Sequence, residues 1–90
     1  VEDPQLRTTP LLEEPFLLIG REDAPLPPGP LAPVALAGLR MVLPTKRHGL
    51  RVSLDRMTER ERLSLEVRLE LDSMNAIGRL VREPGWFTLL

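Results

Sequence analysis

Hydrophobic and polar positions change period twice along the second half of this chain, and each change marks an element. Leu63 to Leu71 (LSLEVRLEL) alternates without exception, with Leu63, Leu65, Val67, Leu69 and Leu71 on one side and Ser64, Glu66, Arg68 and Glu70 on the other. A period of two is that of a strand, here one with a single wet face. Just before it, Leu50, Leu54 and Met57 fall at i, i+4 and i+7, while Arg51, Asp55, Arg56, Glu59 and Arg60 take the solvated faces. That stripe predicts a helix over 47–60. Just after it, Asp72-Ser73 caps a second helix over 73–83, whose apolar face is Met74, Ile77, Leu80 and Val81 and which Pro84-Gly85 ends. Leu39 to Leu43 (LRMVL) reads as a short buried strand stopped by Pro44, and Trp86 to Leu90 as a last strand.

The front third is less regular. Leu11 to Gly20 (LLEEPFLLIG) is a strand candidate with Phe16 to Ile19 as its buried half. Pro15 inside it cannot donate a ladder bond, which predicts an edge position or a change of partner there. Arg21 to Pro33 is a stiff, solvated connector, and Val34 to Gly38 one helical turn ended by Gly38. The order is strand, loop, strand, helix, strand, helix, strand. Strands alternating with helices of this length predict an α/β fold with a mostly parallel, right-handed sheet and flanking helices. The 39–43, 63–71 and 86–90 segments belong to one sheet, the first two parallel.

Composition sharpens the picture in a few places. Eight of the ten prolines precede residue 40 and none falls between Thr45 and Glu83, so regular structure is concentrated in the later part. Ninety residues make one small domain, burying only about 60–65% of the surface of the unfolded chain. Twelve basic against thirteen acidic side chains argue against nucleic-acid binding by charge alone, which needs uncompensated Lys and Arg. The absence of cysteine excludes disulfides and thiolate sites. Apolar runs are too short for a membrane span. Val1 rather than Met points to a segment of a longer chain.

Candidate chemistry is sparse. His48 is the only histidine and has no recognised nucleophile or orienting carboxylate beside it in sequence. Glu13 and Glu14 are adjacent, which in a strand places them on opposite faces. No metal-ligand spacing, GxGxxG or P-loop is present. The expectation is therefore a non-enzyme without cofactor or metal. The strongest local feature is Pro44-Thr45-Lys46-Arg47-His48-Gly49-Leu50, a strand-to-helix turn. In open α/β sheets ligands bind outside the carboxyl ends of strands, where helix N-termini present free N–H groups. A hydroxyl, two fixed positive charges and a titratable third suit a carboxylate, phosphate or sulfate. The plainer alternative is that Thr45 only caps the helix. A second strand-to-helix turn, Asp72-Ser73-Met74-Asn75, would lie beside the first in a parallel sheet.

The succession PLLEEPFLLIG, VALAGLRMVLPTKRHGLR, LELDS, IGRLV and WFTLL resembles the effector-binding domain of LysR-type transcriptional regulators. The family pattern runs as a strand like LxxEPLxLV, a proline-bearing loop, LxxLxGLPLILPSxxHGLR, a helix, a strand ending xEVDS, a helix ending LVAAGxG, and YTLLP. Spacing from Pro44 to Asp72 needs no gaps, and the resemblance covers nearly everything from Pro10 onward. The departure is Glu83-Pro84-Gly85-Trp86, where many members have small residues and Gly. It concerns the geometry of the final turn.

The resemblance implies one lobe of a type II periplasmic-binding-protein-like fold: a crossing strand at 10–20, a Pro-rich loop at 21–33 and an α/β lobe at 34–90. It places the first lobe and the DNA-binding domain outside this chain. It implies Pro44, Thr45 and His48 as effector-facing, with Ser73 as an addition from the second turn. The implied effector is a small anionic metabolite, and the implied setting a cytoplasmic homo-oligomer touching DNA only through a separate domain. Two other readings stay open: a lobe of a solute-binding protein of similar architecture, and a stand-alone interaction module. A lobe that normally packs against another should also expose apolar surface, here at Phe16 to Ile19 and Trp86 to Leu90. Unpaired edges there would lead to self-association.

Overall fold

A computed structural model describes residues 3–90. Its elements are β1 (Leu6–Pro10), β2 (Leu17–Arg21), a 3₁₀ turn (Pro33–Leu36), β3 (Arg40–Pro44), α1 (Gly49–Arg60), β4 (Glu66–Leu71), α2 (Met74–Leu80) and β5 (Phe87–Leu89). The strands form one sheet in the order β1-β2-β5-β3-β4. The α/β character and both predicted helices are present, and β3 and β4 are parallel. The sheet, however, is mixed rather than mostly parallel: β1–β2 and β2–β5 are antiparallel, β5–β3 and β3–β4 parallel. The reason is connection length. Each helix is long enough to carry the chain back across the sheet between parallel strands, whereas a short turn can only reverse it.

That reversal replaces the single strand expected over 10–20. The segment is a hairpin, with its turn at residues 11–16, where Glu13 adopts a left-handed φ of 60° and Pro15 adds a stiff point. Leu11 and Leu31 form an isolated bridge, and both are buried, so the proline-rich loop is tied down rather than wholly solvated. The expected edges are corrected too. β2 and β5 lie inside the sheet, Phe16 is buried, and the open edges belong to β1 and β4.

Two apolar clusters cover the two faces. Leu18, Met41, Leu43, Phe87 and Leu89 pack with Leu54 and Met57 of α1, joined by Leu11, Phe16, Leu31 and Leu36. Ile19 and Val42 pack with Ile77 of α2 and with Val81, which ends that helix. Consecutive residues such as Leu18 and Ile19, or Val42 and Leu43, divide between the clusters because strand side chains alternate in direction.

The alternation over 63–71 does not build one apolar face. Met41 pairs with Val67 but Val42 pairs with Leu69, so Arg68 is an extra, bulged residue. A bulge shifts the period by one. Leu63, Leu65 and Val67 consequently pack on the α1 side, whereas Leu71 packs on the α2 side. Leu69 is left 41% exposed at the edge of the sheet. The bulge and the charges of Glu66, Arg68 and Glu70 make this edge a poor template for another strand.

Candidate functional site

The chain leaves β3 at Pro44 and enters α1 through Thr45-Lys46-Arg47-His48, at the carboxyl end of the parallel strands. The turn is short and closed by the His48 N–H donating to the carbonyl of Thr45. His48 is the N-cap: its Nδ1 accepts from the backbone N–H of Leu50 at 3.2 Å, which puts the ring hydrogen of the neutral imidazole on Nε2. Thr45 is therefore free of the capping role that sequence offered as its plainer alternative. Its hydroxyl instead donates to Asp72 Oδ1 at 2.8 Å, bridging 27 positions of sequence.

That bond joins the two strand-to-helix turns. β4 ends at Leu71, Asp72 turns the chain, and Ser73 caps α2 by accepting from the N–H of Ala76 at 3.2 Å. The expected adjacency of the turns is thus present, with Thr45 and Asp72 in direct contact. Of the four expected site residues, Pro44 is buried, Thr45 is half-buried, and His48 and Ser73 are exposed. Lys46 and Arg47 are exposed beside them. The rim has mixed polarity: two cations and the N-terminus of α1 on one side, a carboxylate and two hydroxyls on the other. It can hold an anionic group and, a few ångströms away, receive a hydrogen-bond donor. Among the described residues no three His, Asp or Glu side chains converge as a metal site would require.

Sequence reasoning missed two residues. Asp72 looked like part of a cap, and nothing local announces its partner 27 positions away. Helical periodicity puts Arg51 on a solvated face, yet it is only 6% exposed. Its Nη1 donates to the carbonyl of Pro44 at 3.0 Å and to Glu70 Oε2 at 2.5 Å, and its Nε to Asp55 Oδ1 at 3.0 Å. Burial works against the guanidinium charge, but hydrogen bonds to Asp55 and Glu70 more than offset it and raise its pKa above the ordinary value. The available signal was weak: Arg51 adjoins the apolar stripe and has an acid at i+4.

The rim is open rather than pocketed. A concavity of about 740 Å³ lies elsewhere and is lined by Leu6 and Thr8 of β1, Leu17 and Ile19 of β2, Leu90, and Arg82 after α2. Among the described residues no helix is long and apolar enough to cross a membrane.

Comparison with known families gives one assignment. The family model for the LysR substrate binding domain matches residues 1–90, and the chain belongs to that family. The match carries with it a periplasmic-binding-protein-like α/β architecture and a role in binding a small-molecule effector. A search of curated proteins finds no match.

Proposed function

We propose that this LysR-family domain is the effector-sensing lobe of a DNA-binding transcriptional regulator, and that the effector is a small organic acid received at the rim formed by Thr45–His48 and Asp72–Ser73. The observation that carries the reading is the Thr45–Asp72 hydrogen bond, which draws both strand-to-helix turns into one polar rim at the carboxyl ends of β3 and β4. The effector's acid group faces the α1 N-terminus, Lys46 and Arg47. A hydroxyl or amino group on the effector faces Asp72, which as a carboxylate only accepts. In this reading the lobe acts by binding alone.

In this reading the other wall of the cleft comes from a first lobe, and a separate domain contacts DNA. The protein works in the cytoplasm as a homo-oligomer. Binding changes transcription by shifting the population of lobe and subunit arrangements, which requires the effector to prefer one of them. The experiment is an NMR titration of the chain with succinate, malate and aspartate. Amide shifts concentrated in 45–50 and 72–76 support the rim; shifts concentrated at Leu6, Leu17, Ile19 and Leu90 would move the site to the large concavity. The solute-binding alternative shares the rim and differs in its setting. Loss of effector-dependent promoter binding by the full-length regulator carrying Thr45→Val separates the two.

A further inference from the structure

We infer that Arg51 is the positioning residue of this rim: its buried guanidinium holds the Pro44 carbonyl between α1 and β4 and so sets the path of the chain into Thr45. The inference rests on the reading of the Thr45–His48 turn as the effector rim.

Pro44 is the last residue of β3, its side chain buried, and after it the chain departs from the sheet. A carbonyl at such a place needs a partner, because a buried acceptor left alone costs about as much as a lost hydrogen bond. Arg51 supplies it from the first turn of α1. The same guanidinium is fixed from two further directions, by Asp55 on its own helix and by Glu70 on the neighbouring strand. Three elements thus converge on one planar group, whose donors point in fixed directions. Thr45 follows Pro44 directly, and its hydroxyl reaches Asp72 only if the backbone turns at the right angle after Pro44. Holding that carbonyl orients the hydroxyl. Glu70 lies on β4 two residues before Asp72, so Arg51 also fixes the segment that delivers the acceptor. An ammonium is a compact point charge, and at this position it would keep the ion pairs while losing the simultaneous hold on the carbonyl.

The test is residue-resolved amide hydrogen exchange on the chain and its Arg51→Lys and Arg51→Met variants, with urea unfolding to give each variant's global stability. The reporting amides are His48, Leu50 and Val52, which close the turn and cap α1. In Arg51→Lys they should exchange about 10-fold faster than global destabilisation explains, while amides of β2 and β5 follow global stability. In Arg51→Met the excess should be at least as large. Should Arg51→Met fail to fold, Arg51→Lys decides the matter with Glu70→Gln as a milder second variant. Uniform acceleration, or full restoration by lysine, would show that Arg51 merely stabilises the fold and would overturn the inference. Sulfate titration of the unsubstituted chain, followed at Lys46 to Leu50, tests the rim separately. Absence of sulfate shifts together with the exchange result would count against the effector reading and leave the mechanical role of Arg51 in place.

Discussion

Thr45→Val removes one hydroxyl and keeps the branched shape, so the backbone has no reason to move. What disappears is the 2.8 Å bond to Asp72. A hydrogen bond to an ionised acceptor contributes about 1.5–3 kcal/mol when both groups are desolvated. Here Asp72 is exposed and Thr45 half-buried, so water takes over the vacated acceptor. The loss of stability should fall to roughly 0.5–1 kcal/mol. At about 4–8 °C per kcal/mol for a domain of this size, the melting temperature should drop by roughly 2–8 °C. Effector affinity should fall about 10-fold, because the hydroxyl is lost as a contact and Asp72 loses its fixed position. Circular-dichroism melts give the first quantity and amide-shift titrations with the acid that binds the unsubstituted chain give the second. An unchanged melting temperature with an unchanged Asp72 carboxyl shift would mean that the bond does not form in solution. Unchanged affinity would remove Thr45 from the site.

The same replacement at Thr88 should act in the opposite direction. Thr88 is 3% exposed opposite Ile19, and its hydroxyl has no hydrogen-bond partner among the described residues, so Thr88→Val should stabilise the chain by about 1 kcal/mol in urea unfolding; destabilisation would refute the account. A second test concerns Glu61, whose carboxyl is raised by its hydrogen bond to Glu14, while Glu14 is lowered by that bond and by Arg60. A raised carboxyl favours the folded state below its unfolded pKa, and that advantage is lost as pH rises through the folded value; the lowered Glu14 acts in the reverse sense. Glu61→Gln keeps a donor towards Glu14 and should therefore melt higher than the unsubstituted chain at neutral pH but not at low pH, as parallel melts at both would show. Finally, self-association should run through the exposed Leu17 and Leu90 beside the large concavity rather than through β2 or β5 edges. Leu17→Ser with Leu90→Ser should then lower the sedimentation-derived association constant, and no change would point to another surface.

Much of the architecture was legible because local rules agree with the global packing. The stripe of Leu54 and Met57 became the buried face of α1, and Ile77 with the C-capping Val81 that of α2. Ser73 caps as its residue type suggests, and the gapless spacing from Pro44 to Asp72 corresponds to one strand–helix–strand unit. Those features depend on residues within a few positions of one another, and periodicity reports them directly. Strand partners are another matter. The antiparallel hairpin at 11–16 was hidden because Pro15 and two adjacent glutamates interrupt what otherwise looks like one strand.

The site divides along the same line. Chain order alone determined that a polar, cationic turn would follow a buried strand and lead into a helix. That the hydroxyl of Thr45 would serve Asp72, leaving the cap to His48, was decided by the lateral distance between β3 and β4, which no local pattern encodes. The bulge at Arg68 shows the limit most plainly. Strict alternation from Leu63 to Leu71 predicts a single apolar face, yet one extra residue against β3 sends Val67 towards α1 and Leu71 towards α2. Glu70 is thereby turned towards Arg51, and a charge that helical periodicity assigns to water is buried among three elements. Periodicity describes a segment by itself; register is a property of two segments, and it exists only once they have met.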